Sequence, residues 1–287
     1  MKVWLDGALC DPTTAKVSVL DHGLLYGDGV FEGLRVFNRR VFSLDLHMAR
    51  LAVGLKALSL NASLDDLRAA VLATAKAHGE PEAYLRLVIT RGTGPLGVDP
   101  TTCERPTVFC IAAPLSLYPR DKRETGLTLV TASLRRPPPD VLDPRVKSLN
   151  YLNNALAKLE ARNRGADEAL LLNGSGSVAE AAVANVFAVR DGELVTPPGS
   201  DGALEGITRR TVLELAQAMG VPARVKTLTR FDLLAADEVF VTGSGAGLVP
   251  VRSLDDRPVG QPGPGPLFKR LLAAYLELGA SRGVPFE

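Results

Sequence analysis

The sequence predicts an α+β fold in two domains, and three observations carry that prediction. Short apolar runs broken by tight turns read as hairpin strands, while runs with apolar residues three and four apart read as helices. Both kinds occur on either side of a charged, proline-containing stretch, LSLYPRDKRETG, which reads as a linker. At 287 residues the chain has room for a sizeable core and, on length alone, about two domains. The domains are therefore expected at residues 1–114 and 127–287, joined by a loop at 115–126.

In the first domain, MKVWLDGALCDPTTAKVSVLD predicts two short strands around a turn, and GVFEGLRVFNRRVFSL a hairpin turning at Asn38 and Arg39. Leu46, Leu51, Leu55 and Leu58 fit one face of a helix from which Arg50 projects elsewhere. A second helix, SLDDLRAAVLATAKAHG, and a strand, EAYLRLVIT, follow. Gly92, Gly94 and Gly97 then match the G-x-G-x-x-G spacing of a dinucleotide-binding loop, but Pro95 and the following VDPTTCERP cannot open the helix such a loop requires.

In the second domain, Leu149, Leu152, Leu156 and Leu159 predict one helix face ending at Gly165, which places Lys147 at or just before a helix start. DEALLL, the turn at Asn173–Gly176, the run SVAEAAVANVFAVR, the turn at Asp191-Gly192 and ELVTPP predict strands joined by hairpins. Glu180 is the one carboxylate inside an otherwise small and apolar run. LEGITRR leads into the helix TVLELAQAMG, whose first turn offers backbone N–H groups and the Thr208 hydroxyl beside Gly206, a seat for phosphate. Pro262, Pro264 and Pro266, interleaved with glycine, mark a loop before a last helix, PLFKRLLAAYLELGASRG.

Composition excludes several classes. The net charge of +1 has no basic or acidic block, which argues against nucleic acid and anionic membranes. Cys10, Cys103 and Cys110 are odd in number and lack paired spacing, as expected of reduced thiols. His22, His47 and His78 are too scattered for a metal site, and no G-x-S-x-G elbow marks a serine nucleophile. With no charged segment preceding an apolar one at the start and no long apolar span, a soluble cytoplasmic protein is expected.

A reactive amine, a carboxylate among apolar neighbours and a phosphate seat are what a protein must supply to pyridoxal 5′-phosphate: a Schiff-base partner, a counter-charge for the pyridine nitrogen and an anchor. KSLNYLNN, AEAAVANVFAVRDGELVTPP, LEGITR and VTGSGAGLVPV resemble, in order and along nearly the whole chain, the signatures of the class IV pyridoxal-phosphate aminotransferases. The resemblance implies a two-domain enzyme of fold type IV, each domain a sheet or barrel flanked by helices, with the cofactor at the domain interface and a partner subunit completing the site in a homodimer or higher homo-oligomer. It implies Lys147 as the catalytic lysine, Glu180 at the pyridine nitrogen and Tyr151 at the phenolic oxygen. Arg50, Gly206, Ile207, Thr208 and Ser244 would hold the phosphate, and Gly245 and Ala246 would meet the substrate carboxylate.

Within the family, Tyr26, Phe31, Gly33 and Arg35 in LLYGDGVFEGLRVF, and Tyr84 and Arg86 in YLR, are similar to the branched-chain aminotransferases. Tyr26, Phe31 and Tyr84 would line the pocket for an apolar side chain, with Arg35 beside them, and Arg86 would meet the distal carboxylate of glutamate. The activity implied is transfer of the amino group of leucine, isoleucine or valine to 2-oxoglutarate in amino-acid metabolism. Leu96 and Val98 stand where D-amino acid enzymes of the best-known kind carry an Arg-x-His pair. Aminodeoxychorismate lyases differ at the positions of Gly33, Arg35 and Arg86. Alternatives are the lyase, a D-amino acid or (R)-amine transaminase, and a cofactor-binding relative without catalysis. Two departures from the family pattern are Tyr151, four residues after Lys147, and Gly247, at a position often acidic.

Overall fold

A computed structural model of the chain describes residues 1–114, 117–119 and 121–286; Leu115, Ser116 and Arg120 of the expected linker, and Glu287, lie outside the described residues. The chain divides into two compact units, one comprising Met1–Leu115, Val146–Asn150 and Gly279–Glu287, the other Ser116–Arg145 and Tyr151–Leu278. Each is α+β.

The first unit contains β1 (Lys2–Leu5), β2 (Ala8–Cys10), α1 (His22–Tyr26), β3 (Gly29–Phe37), β4 (Arg40–Val41), α2 (Leu44–Ala57), α3 (Leu64–His78), β5 (Ala83–Thr90) and β6 (Val108–Ala113). Its sheet runs from a short strand at Val284–Pro285 through β4, β3, β5, β6 and β1 to β2, with antiparallel neighbours throughout. The turn from β3 to β4 is at Asn38 and Arg39, both at positive φ (46° and 58°), the geometry that a two-residue hairpin of right-handed twist demands. α3 starts on Ser63, whose hydroxyl accepts the Asp66 N–H, and ends on Gly79 at φ 78°. Leu44, Met48, Leu51 and Leu55 of α2 and Leu67, Val71 and Ala75 of α3 bury against Val30, Leu34 and Val36 of β3 and Leu85, Leu87 and Ile89 of β5.

The second unit contains α4 (Lys122–Thr125), β7 (Leu127–Arg135), α5 (Pro139–Leu142), α6 (Leu152–Asn163), β8 (Glu168–Leu172), β9 (Val178–Ala181), β10 (Asn185–Arg190), β11 (Glu193–Thr196), α7 (Ile207–Ala218), β12 (Ala223–Val225), α8 (Arg230–Leu234), β13 (Glu238–Gly243), β14 (Gly247–Leu254), β15 (Arg257–Pro258) and, as far as Leu278, α9 (Pro266–Ser281). The sheet order is β12-β11-β10-β13-β14-β7-β8-β9, with β15 on β14. The β11/β12, β14/β7 and β7/β8 pairs are parallel. Glu238 illustrates how this core tolerates a buried carboxylate: its two oxygens accept the Leu267 and Phe268 N–H groups at 2.9 and 2.8 Å, so the charge caps the start of α9.

Two expectations change. The run SVAEAAVANVFAVR is not one strand but β9 and β10, broken by a bend at 182–184. The leucine stripe of α6 does not face the core: Leu152, Leu156 and Leu159 are exposed, and the buried residues are Asn154, Ala157 and Ala161. Small side chains let this helix lie close to its sheet, so its leucines are left outside. Among the described residues no helix is long and apolar enough to cross a membrane.

Candidate functional site

In the first unit the candidate residues collect on β3 and its neighbours. Side chains alternate along a strand, so Phe31, Gly33, Arg35 and Phe37 share one face, while Val30, Glu32, Leu34 and Val36 share the other. Antiparallel pairing sets Arg86 of β5 beside Gly33, and Tyr84 beside Arg35. Gly33 has a steric reason to be glycine: a Cβ there would overlap the Tyr84 hydroxyl. The Arg86 guanidinium lies 4.1 Å from the Phe31 ring centroid and the Lys147 Nζ 4.3 Å from it, distances at which an aromatic face attracts a cation. Arg35 stacks at 4.3 Å on Phe37. It is buried, its Nη2 lies 3.5 Å from the Glu82 carboxylate, and its Nε and Nη1 have no hydrogen-bond partner among the described residues, which leaves a cation with donors to offer.

Lys147 owes its position to main-chain bonds. The Phe31 N–H donates to the Lys147 carbonyl at 3.0 Å, and the Leu149 N–H to the Gly29 carbonyl at 2.9 Å, so residues 147–149 lie along the start of β3 like an added strand. α6 begins only at Leu152, with Tyr151 as its N-cap.

On the opposite face of β3, Glu32 is 1% exposed. Its carboxylate accepts Arg50 Nε at 2.8 Å and Arg50 Nη2 at 2.6 Å, and lies 2.7 Å from His47 Nδ1. Burial alone would raise the Glu32 pKa, but the Arg50 and His47 charges and hydrogen bonds outweigh it and bring it down to about 2. Burial dominates at His47 and holds it below its usual range against the pull of Glu32; the Arg50 and Lys147 charges add to the lowering. The imidazole therefore donates from Nδ1 to a charged carboxylate.

Tyr26 closes α1. Its hydroxyl accepts the Gly97 N–H at 2.9 Å, and its ring meets His22 edge-on at 4.9 Å. His22 Nε2 is 2.9 Å from the Pro95 carbonyl, so Tyr26 and the 92–97 loop are tied together. Leu96 and Val98 project into solvent.

In the second unit Glu180, on β9, is buried and held from both sides. Arg136 lies 2.8 Å from one oxygen, while the other accepts Asn185 Nδ2 at 3.1 Å and the Leu204 N–H at 3.0 Å. Arg136 is itself fixed by the Gly202 carbonyl (3.2 Å) and Asn154 Oδ1 (3.0 Å), and Asn154 donates to the Ala182 carbonyl at 2.6 Å. The carboxylate is thus oriented and desolvated, with a guanidinium against one oxygen.

Asn185 also donates to the Leu204 carbonyl at 2.7 Å and packs on Gly206, the N-cap of α7, where a Cβ would overlap its Oδ1. Among the described residues no side chain caps α7, so its first-turn N–H groups at Ile207 and Thr208 and the positive end of its dipole remain available to an anion. Ser244, Gly245 and Ala246 form the turn between β13 and β14, closed by the Gly243–Gly247 pair. Next to that turn the fully buried Thr242 Oγ1 has no hydrogen-bond partner among the described residues.

Sequence reasoning did not single out Glu32, His47, Arg136, Asn154 or Asn185. Glu32 had the signal that marked Glu180, a lone carboxylate in an apolar strand, and Asn185 is likewise a lone polar residue in one. Arg136 and Asn154 carry no local signal, since their partners are distant in sequence.

Among known proteins, the model of the amino-transferase class IV family matches residues 29–254 of the chain. A Methanocaldococcus jannaschii protein provisionally named branched-chain-amino-acid aminotransferase is 44% identical over 286 residues, covering 99% of this chain and 98% of that protein. The crystal structure of the Escherichia coli branched-chain amino acid aminotransferase superposes with a TM-score of 0.94 at 34% identity, over 98% of this chain and 95% of that one. The T.th. branched-chain amino acid aminotransferase, complexed with N-(5′-phosphopyridoxyl)-L-glutamate, superposes with a TM-score of 0.91 at 37% identity, over 98% and 94%.

Proposed function

Because the chain belongs to the class IV aminotransferases, is like the branched-chain enzymes among them and is a pyridoxal 5′-phosphate-dependent transaminase, we propose that it moves the amino group of leucine, isoleucine or valine to 2-oxoglutarate. One observation supports this most: a single face of β3 and β5 gathers an apolar ring at Phe31, a tyrosine hydroxyl at Tyr84 and the cations Arg35 and Arg86, with the Lys147 amine at the same ring. An apolar side chain packs on Phe31, Tyr26 and Tyr84, and a distal carboxylate finds Arg86 instead, so one surface serves both the branched-chain substrate and glutamate. Arg35 lends its unmet donors to the same polar substrate groups.

The residues suit the cofactor. The uncapped start of α7 at Gly206, Ile207 and Thr208, the Ser244 turn and Arg50 match a phosphate dianion; Glu180 matches a protonated ring nitrogen, and Tyr151 the phenolic oxygen. Bound pyridoxal 5′-phosphate supplies a carbonyl for the amino group and a ring that withdraws electrons from the substrate Cα. Lys147 binds the cofactor and moves the proton at that Cα, with its main chain locked to Phe31 so that the amine swings only through its side chain. Glu180, paired with Arg136 and oriented by Asn185, would hold the proton at the ring nitrogen. The Gly245 and Ala246 amides bind the substrate carboxylate, where small side chains permit close approach.

The reading takes the protein as a homodimer or higher homo-oligomer, with the exposed leucines of α6 in support, and as cytoplasmic, with three free cysteines in support. It assigns the substrate pocket and the Arg50 phosphate contact to residues 1–114, and the rest of the cofactor site to 127–287 beyond the loop at 115–126. The test is a half-reaction: the holoprotein is mixed with L-leucine, D-alanine or (R)-1-phenylethylamine alone, and conversion of the cofactor to its amine form is followed by absorbance. Rapid conversion by L-leucine, abolished in Lys147→Ala, is expected. Conversion by D-alanine or the amine alone would overturn the pocket assignment, and none at all would favour the lyase.

A further inference from the structure

Glu32 stands on the core face of β3, among Val30, Leu34 and Val36. A carboxylate there forgoes its hydration, and a buried ion pair contributes little net stability compared with apolar residues of like size. What the pair does provide is geometry. Two oxygens grip Arg50 through Nε and Nη2 (2.8 and 2.6 Å), which fixes the plane of the guanidinium. His47, one helical turn before Arg50 on α2, donates to the same carboxylate at 2.7 Å and so fixes Glu32 in turn. The strand segment involved is the one that holds Lys147: Phe31, next to Glu32, donates its N–H to the Lys147 carbonyl. Gly29–Glu32 therefore sets the amine through its main chain and the guanidinium through a side chain.

We infer that Glu32 and His47 are positioning residues that hold the Arg50 guanidinium in the orientation required by the phosphate of the cofactor. The inference rests on Arg50 being a phosphate ligand, as proposed above. Orientation and charge balance make opposite demands on a substitution. Glu32→Asp keeps the charge but withdraws the carboxylate by one methylene, so it would leave a charge-balancing role intact and spoil a positioning one. His47→Gln keeps both charges of the pair and loosens Glu32.

The experiment measures equilibrium binding of pyridoxal 5′-phosphate and of pyridoxal, which lacks the phosphate, to the full-length apoprotein carrying Glu32→Asp, His47→Gln or Arg50→Ala, with far-UV circular dichroism melting of each. Glu32→Asp is expected to weaken pyridoxal 5′-phosphate roughly tenfold, the worth of one displaced charge-assisted contact. Pyridoxal affinity should stay within about twofold. His47→Gln should shift the same ratio in the same direction by about threefold, a fraction of that contact. An unchanged or tighter affinity for pyridoxal 5′-phosphate in both Glu32→Asp and His47→Gln would overturn the inference, as would an equal loss for both ligands, which marks general damage. Should Glu32→Asp fail to fold, His47→Gln decides alone. If Arg50→Ala leaves the ratio unchanged, the assignment of Arg50 to the phosphate fails first, and that outcome is distinct from the others.

Discussion

Replacing Gly206 with alanine should loosen Glu180 by way of Asn185. Gly206 has φ −65° and ψ 139°, a conformation open to any L-residue, so the backbone itself raises no objection. The obstacle is the Asn185 amide, whose Oδ1 would overlap the new methyl and whose Cγ at 3.3 Å would have to give with it; Arg209 Cβ, at 3.4 Å, is next. Moving the amide breaks its donations to Glu180 (3.1 Å) and to the Leu204 carbonyl (2.7 Å). A bond to a charged acceptor contributes about 2 kcal/mol and a neutral one about 1 kcal/mol, so Gly206→Ala should cost about 3 kcal/mol. Asn185→Ala removes the same two bonds and should cost about as much. In the double variant nothing is left for the methyl to displace, and the cost should stay near about 3 kcal/mol rather than about 6 kcal/mol, a coupling of about 3 kcal/mol. Urea unfolding of the four apoproteins by circular dichroism measures the cycle, and titration with pyridoxal 5′-phosphate measures whether Glu180 still serves the cofactor. Additive costs, or a neutral Gly206→Ala, would refute the chain of contacts from Gly206 through Asn185 to Glu180.

Acid should destabilise the protein in two stages. Below about pH 6.5 the unfolded chain protonates His47 while the native one resists, and between about 4.5 and about 2 the same holds for Glu32, so in both windows the unfolded state binds more protons and stability falls with pH. Integrated, the Glu32 shift amounts to about 3 kcal/mol, and urea midpoints that rise on acidification through pH 4 would contradict it. Cys110 is wholly buried, and that burial pushes its thiol up to about 12, so Ellman's reagent should label it only at the rate of global unfolding; fast reaction of all three thiols in the native protein would argue against this packing. Gly33→Ala should drive the Tyr84 phenol aside and lower kcat/KM for L-leucine by roughly tenfold with cofactor affinity unchanged, whereas a loss of cofactor affinity alone would move Tyr84 out of the substrate pocket.

What could be read from the chain followed from how local its cause was. The hairpin at Asn38 and Arg39 was legible because both turn residues adopt the left-handed conformation that the turn type requires. The two faces of β3 were not legible, because every residue of the strand is buried and no polar–apolar alternation separates Phe31, Gly33 and Arg35 from Glu32 and Leu34. Periodicity does not say which face of a helix turns inward, and in α6 the small face of Ala157 and Ala161 prevails over the leucines. The bend between β9 and β10 falls in a run of alanine and valine with no glycine or proline to announce it. Lys147 and Glu180 stood out by residue type, but their supports did not. The partners of Lys147 lie at Gly29 and Phe31, and the carboxylate of Glu180 is held by Arg136 and Leu204. Such pairings arise only when the sheet is assembled.

The strand at Val284–Pro285 pairs with β4, and Phe286 enters the same core as α2 and α3, stacking under Arg39 at 5.6 Å. On the ribosome these residues appear after every residue of the second unit, which ends at Leu278. The first unit is thus completed only after the second has been made. Until then β4 offers a raw strand edge and the core lacks a phenylalanine, a state prone to mispairing with other nascent chains. The segment bearing Lys147 has already emerged by that time, so the reactive amine waits on a sheet that still lacks its border.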